Sequence, residues 1–286
     1  MTKYLKNKGY KNIISNNMYI IAEGDLPICL CAHMDTVFCK PPFKFYYDSE
    51  QSVLWSPQGL GADDRAGCYA IIELLEKGYR PSIILTDLEE RGGVGADILT
   101  NKYPDCPFFD CRALIQLDRR GRNDSVYYEC DNPDFEELIN SYGFKTDWGT
   151  FTDISIFGPQ WEIAAVNLSV GYYNEHEEIE TLNMKFLHET ISKLEKMLKD
   201  CKNWASYSYI PMVYNFKYIN DFGSYNFNST NNNCAFCNTQ IEGEGHRCYA
   251  IDNPDTDLRI CDQCYNLYWD KKEQEEYLAE KESPQE

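Results

Sequence analysis

The chain has 286 residues, 43% hydrophobic, 14% aromatic and 26% charged, which excludes a disordered protein or a fibre and suits one sizeable apolar core. Lys plus Arg number 27 against 46 Asp plus Glu, a formal charge of −19 that opposes adhesion to phosphate backbones or anionic membranes. No apolar run approaches the roughly 18 residues of a membrane span, and MTKYLKNKGYKN lacks the apolar stretch of a signal peptide, so a cytoplasmic location is expected.

In chain order, residues 28–32 (ICLCA), 82–87 (SIILTD), 113–117 (ALIQL) and 163–172 (IAAVNLSVGY) are short apolar runs without helical period, which read as buried strands. FKFYYDSEQSVLW, 43–55, alternates around a polar turn and predicts a hairpin at the sheet margin. Ala66, Ala70, Leu74 and Gly78 recur every fourth position beside Ile71 and Leu75, giving a helix over 64–77 closed by Gly78. Pro133 and Asp134 open a shorter helix to about Tyr142. Leu187, Ile191, Leu194 and Leu198 mark a last amphipathic helix over 183–200. Strands alternating with helices predict an α/β fold with its sheet covered on both faces.

After residue 200 the composition shifts. Residues 204–227 are rich in Trp, Tyr and Phe among Asn and Ser and read as a strap on the main domain, with NSTNNN at 228–233 as a flexible joint. The expected organisation is a main domain over 1–200, a strap and linker over 201–233, and a small module over 234–286. In that module Cys234 and Cys237 pair with Cys261 and Cys264 across 23 residues, a four-thiolate pattern for one structural Zn²⁺ in a treble-clef or zinc-ribbon module. Thirteen cysteines without an export signal therefore predict reduced thiols plus a metal site. The module is acidic, so a protein contact, self-association or plain stabilisation suits it better than nucleic acid.

Five segments place metal-type ligands just past predicted strands: AHMDT at 32–36, GADDRAG at 61–67, LEERGG at 88–93, QLDR at 116–119 and NEHEE at 174–178. Two of the four histidines, His33 and His176, fall there. Carboxylates and imidazoles suit a cation such as Zn²⁺, and one shared carboxylate allows two ions about 3.5–4 Å apart. Asp35 lies two residues after His33, on the same side of an extended strand, where it can orient the imidazole. Glu89 and Glu90 offer one carboxylate for metal and one for a proton.

In the order and identity of these segments the sequence, over roughly residues 28–198, resembles the co-catalytic dinuclear zinc exopeptidases, which include leucyl-type aminopeptidases, carboxypeptidase G-like enzymes and bacterial tripeptidases. The resemblance implies a mixed central sheet and two Zn²⁺ (or Co²⁺/Mn²⁺) ions. It makes His33 and Asp118 terminal ligands to one or other ion, Asp63 the bridge, Glu90 and His176 the remaining ligands, and Glu89 the general base. It also implies a cis peptide between Asp63 and Asp64. Family members with a lid insert it between the fourth ligand and the last histidine; only 57 residues separate Asp118 from His176 here, so no lid domain is expected.

Arg119, Arg120 and Arg122 form a basic cluster in an acidic chain. Arg119 and Arg120 are candidate contacts for a substrate carboxylate, against salt bridges to neighbouring acids. Asp153, in GTFTDISIF, resembles a Ser/Thr-Asp segment near the family's cleft. The function expected is hydrolysis of an amide bond in a short peptide or N-acyl amino acid by a metal-bound hydroxide, aminopeptidase-like. The alternatives are an amidohydrolase acting on an anionic substrate, or a binding protein that docks a partner through the cysteine module.

Overall fold

The apolar runs become the inner strands of an eight-stranded sheet in the computed structural model, which describes residues 1–212 and two strands at 246–250 and 253–260. The elements are α1 (Thr2–Asn7), β1 (Ile13–Ser15), β2 (Tyr19–Ala22), β3 (Leu26–His33), β4 (Tyr46–Asp48), β5 (Val53–Trp55), α2 (Ala62–Glu76), β6 (Pro81–Thr86) and α3 (Val94–Lys102). There follow β7 (Leu114–Arg119), β8 (Asp124–Val126), α4 (Pro133–Ser141), β9 (Lys145–Thr146), α5 (Ile154–Trp161), β10 (Ala165–Ser169), β11 (Tyr172–Tyr173), β12 (Thr181–Asn183) and α6 (Met184–Asp200).

The large sheet has the order β1-β2-β6-β3-β7-β10-β8-β9. Its centre, β6, β3, β7 and β10, is parallel, while β2 joins β6 and β8 joins β10 antiparallel, so the sheet is mixed. Because side chains alternate along a strand, β3 sends Ile28, Leu30 and Ala32 to one face and Cys29 and Cys31 to the other. On the first face they meet Ala70 and Leu74 of α2 and Leu187, Ile191 and Leu194 of α6. On the second they meet Ala96 and Leu99 of α3 and Ile154, Phe157 and Trp161 of α5. Each fully buried leucine of this kind contributes about 1.5–3 kcal/mol. The expected α/β architecture with both faces covered is the one observed.

The hairpin departs from the expectation, and two helices show local irregularities. The hairpin of 43–55 is not at the margin of the large sheet; β5 pairs with β12 in a separate four-stranded sheet of order β11-β12-β5-β4. Helix α2 is assigned from Ala62, but Asp63 and Asp64 hold non-helical dihedrals, so the regular helix begins after them. Helix α5 had no recognisable period, because ISIFGPQW is apolar almost throughout and carries Pro159 inside.

The segment between Asp118 and His176 forms β8 to β11 with α4 and α5 and adds no separate domain. Among the described residues no helix is long and apolar enough to cross a membrane. The chain divides into two compact units, Met1–Tyr214 and Asn215–Glu286. The first part of the aromatic strap belongs to the first unit: Trp204 is buried, and bridges join Ile163 to Ser208 and Cys130 to Pro211. In the second unit β13 (His246–Ala250) and β14 (Asn253–Ile260) pair antiparallel. Cys234, Cys237, Cys261 and Cys264, the Asn-rich joint and the C-terminal tail lie outside the described residues.

Candidate metal centre

The parallel strands end together, and their ends carry the site. His33 is the last residue of β3, and Asp118 stands near the end of β7, its parallel neighbour. Glu89 and Glu90 follow β6 in a single 3-10 turn, entered through Leu88 at φ 63° and left through Gly92 at φ 85°. His176, at φ 68°, lies in the loop after β11. Asp63 departs from the expectation that every such group follows a strand, since it opens α2. The Asp63–Asp64 peptide is cis.

These residues converge on Asp63. Its Oδ1 lies 3.2 Å from Nε2 of His33, and its Oδ2 lies 3.2 Å from Nε2 of His176. Around the first oxygen, His33 Nε2 is also 3.5 Å from Asp118 Oδ1 and 3.9 Å from Glu89 Oε2. Around the second, His176 Nε2 is 2.9 Å from Glu90 Oε2. One carboxylate thus stands between two clusters, His33 with Asp118 and His176 with Glu90.

A supporting layer of side chains fixes these groups. Asp35 Oδ1 is 3.2 Å from His33 Nδ1, and its two oxygens accept the backbone N–H groups of Glu89 and Glu90 at 3.1 and 3.3 Å. It therefore ties the imidazole to the turn carrying both glutamates. Asp64 turns inward and accepts from the amides of His33 and Gly67. Gly67 is required there, because a Cβ would stand 2.1 Å from the Leu117 carbonyl oxygen. Glu180, with no exposed surface, accepts from the backbone N–H of Gly61 and, at 3.0 Å, from that of Asp63. Thr152 and Tyr172 donate hydroxyl hydrogens to the two oxygens of Asp118, at 2.7 and 3.1 Å. Asn167 binds both the amide and the carbonyl of Asp118.

The crowding shows in the ionisation of the groups. Burial, then the charge of Asp118, pushes Glu89 up to about 9. Burial and the charge of Asp63 raise Glu90 to about 7 and Asp118 to about 6. Burial works against protonation of His33, but Asp118, Asp35 and Asp63 outweigh it and hold the imidazole well above its usual range. His176 rises to about 9, chiefly through its hydrogen bond with Asp63. Burial would raise Asp63, yet the two histidines hold its carboxyl well below the usual range.

Acids packed so closely call for positive charge, and the donor set is that of a divalent cation. Ligand atoms of His33, Asp63 and Glu90 lie within 4.8 Å of one another, as do those of His33, Asp64 and Asp118. Of the two aspartates Asp63 suits a cation better, because Asp64 is already spent on two backbone amides. Oε1 of Glu90 is buried without a hydrogen-bond partner, which fits an acceptor waiting for a cation.

The candidate substrate contacts are placed as follows. Arg119 pairs with Asp147 at 2.8 Å, Arg120 with Glu175 at 2.9 Å and Arg122 with Glu189 at 2.8 Å. Asp153 is buried behind the site, accepts from Thr86, leaves its Oδ1 without a partner, and is raised by burial to about 7.

No family model matches the chain, and no curated protein does. Solved structures share its fold. The aminopeptidase PepT from Bacillus cereus ATCC 10987 superposes with a TM-score of 0.55 at 14% identity, covering 70% of this chain and 91% of that one. A tripeptidase from Staphylococcus aureus subsp. aureus Mu50 gives 0.56 at 14% identity, covering 71% and 92%. The chain therefore has the mixed α/β fold of these two peptidases.

Proposed function

We propose that the first unit is a metal-dependent hydrolase that cleaves an amide bond of a short peptide or N-acyl amino acid, in the manner of an aminopeptidase. The observation that carries this reading is Asp63, with one oxygen facing His33 and the other facing His176. In this reading His33 and Asp118 would hold one cation and His176 and Glu90 a second, with Asp63 shared between them; Zn²⁺, Co²⁺ and Mn²⁺ would all suit the donors. Such cations supply Lewis acidity towards a carbonyl and lower the pKa of water.

The remaining work falls to the chain. Asp35 holds the His33 ring in place through Nδ1 while its oxygens keep the Glu89–Glu90 turn against the strand end. Glu89, whose Oε2 faces His33 from beyond hydrogen-bonding distance, is the carboxylate left to take a proton and return it to the leaving amine. With a cation bound beside it, the raised pKa of Glu89 would come down towards neutrality, where a general base works best. Thr152 and Tyr172 keep Asp118 aimed, and Glu180 keeps the turn before Asp63 from drifting. The fold shared with an aminopeptidase and a tripeptidase supports the choice of peptide substrates. The ion pairs of Arg119 and Arg120 weigh against the anionic-substrate alternative. In the second unit the two CxxC pairs are read as holding one structural Zn²⁺.

The test is Glu89→Gln in the metal-loaded full chain, assayed on a library of short peptides. Turnover should fall by about 10²- to 10⁴-fold with metal content retained, because only the proton acceptor is removed. Near-normal turnover in this variant would overturn the assignment.

A further inference from the structure

Away from the metal centre, α6 presents a basic groove. Lys185, His188, Glu189, Ser192, Lys193 and Lys196 follow one another in steps of three and one, so they share a single face of the helix. With Arg122 and Asn123 before β8 and Gly143 after α4 they line an open groove of about 680 Å³. The chain as a whole has 46 acidic against 27 basic residues, yet this groove has four Lys and Arg side chains and one acid.

The contacts that fix the groove leave much of its charge unspent. Arg122 is bound to Glu189 at 2.8 Å and lies 4.6 Å from the centre of the Phe186 ring, so that acid and that arginine balance. Lys193 is half-buried; it donates to the side-chain oxygen of Asn123 at 2.6 Å and to the Gly143 carbonyl at 2.5 Å, and stands 4.1 Å from the centre of the Phe144 ring. All three partners are neutral, so its ammonium is held in place without a counter-ion. Lys185 and Lys196 are exposed and make no hydrogen bond or ion pair among the described residues. Burial lowers the Lys193 ammonium most; Glu189 opposes this, while the like charges of Arg122 and Lys196 add to it.

The spacing of these charges selects the ligand. From Lys185 to Lys196 the helix rises about 16 Å. A single phosphate or carboxylate reaches one or two of the ammonium groups, whereas an extended peptide, at about 3.3 Å per residue, covers the span with about five residues. Its alternate side chains fall about 6.6 Å apart on one face, close to the roughly 5–6 Å between neighbours on a helix stripe. A nucleic-acid strand is long enough too, but it would continue past the groove over a chain of net charge −19.

We propose that this groove docks an acidic segment of a partner protein, extended along α6 with carboxylates on alternate residues facing Lys185, Lys193 and Lys196. Attraction of this kind speeds encounter and weakens with salt.

The test is the fluorescence anisotropy of the peptide Glu-Val-Glu-Val-Glu, labelled on its blocked amino end and titrated at low ionic strength with the metal-loaded full chain. Saturable binding is expected with a Kd below about 1 mM. Replacing each Glu of the peptide by Gln should weaken it about tenfold or more, and so should Lys185→Glu combined with Lys196→Glu in the protein. Lys3→Glu combined with Lys102→Glu changes the net charge equally at exposed positions off the groove and should leave the affinity within about twofold. All four lysines are exposed, and thermal unfolding checks that both double variants fold. Absence of saturable binding overturns the proposal, as does equal weakening by the two pairs or none by the groove pair. Tighter binding of a thymidine oligonucleotide of matching charge overturns it in favour of a phosphate chain, and displacement of the peptide by an equal concentration of inorganic phosphate in favour of a single-anion site. None of these readouts uses peptide hydrolysis, so this proposal and the proposed function stand or fall separately.

Discussion

Without cations, the stability of the first unit should fall steeply as pH rises from 6 to 8. Glu89 titrates near 9 in the folded chain against an ordinary value of 4.5, so across this window the folded state keeps a proton that the unfolded state has released. A raised carboxyl therefore loses stability with rising pH, by about 1.4 kcal/mol per proton per pH unit. From pH 6 to 8 Glu89 alone gives about 3 kcal/mol. Glu90, raised to about 7, adds to the loss at the lower end of the window. His33 has the same sign, because a raised histidine contributes stability that is complete below its unfolded value and disappears as pH climbs. Asp35 and Asp63 are depressed; their contribution is lost only in acid and is flat here. At roughly 2–4 °C per kcal/mol for a unit of this size, the midpoint should drop by about 5–12 °C. The assay is thermal unfolding at pH 6, 7 and 8 in chelator, repeated with added Zn²⁺ or Mn²⁺ and with Glu89→Gln. Cations should flatten the slope by taking the place of the protons, and the variant should make it shallower. A midpoint that is flat or rises with pH in chelator, or a Glu89→Gln slope equal to wild type, refutes the electrostatic account.

Other perturbations separate the supporting groups. Glu180→Gln puts an amide N–H₂ against two backbone donors, so it should lower stability by about 2–3 kcal/mol in urea titration and weaken metal retention; an unchanged midpoint would mean Glu180 does not hold Asp63. Gly67→Ala drives a methyl into the Leu117 carbonyl and should give poorly folded protein by circular dichroism and gel filtration, whereas a native-like variant would show that α2 is free to shift. Arg120→Ala breaks an ion pair whose arginine side chain is 57% exposed, so stability should change by less than about 0.5 kcal/mol. Its KM should stay the same for anionic and neutral peptides; a rise confined to anionic ones would restore Arg120 as a substrate contact.

What the sequence made legible follows from how strongly each residue is constrained. ICLCA and ALIQL declare buried parallel strands because both faces of the sheet are covered and the runs are almost wholly apolar, Gln116 being the one buried exception. His33, Asp63, Glu89, Glu90, Asp118 and His176 could be gathered because each sits at a break in the apolar pattern, and the chain has few histidines to misplace. Glu180 was illegible: within NEHEEIE nothing distinguishes it from Glu175, Glu177 and Glu178, and only the folded chain buries it against the turn of Asp63. Asp64 was hidden for the opposite reason, since two adjacent aspartates look alike until one turns towards the amides of His33 and Gly67. The arginines following Asp118 suggested a receptor for anions, but Asp147, Glu175 and Glu189 come from distant segments that the sequence does not bring beside them.

The central claim is that one carboxylate serves two cations, and the most direct measurement is the metal content of the full chain beside that of Asp63→Ala, both prepared without chelators. The account predicts that the substitution removes about two equivalents of metal while leaving any held by the cysteine pairs. A metal content unchanged by the substitution would contradict it.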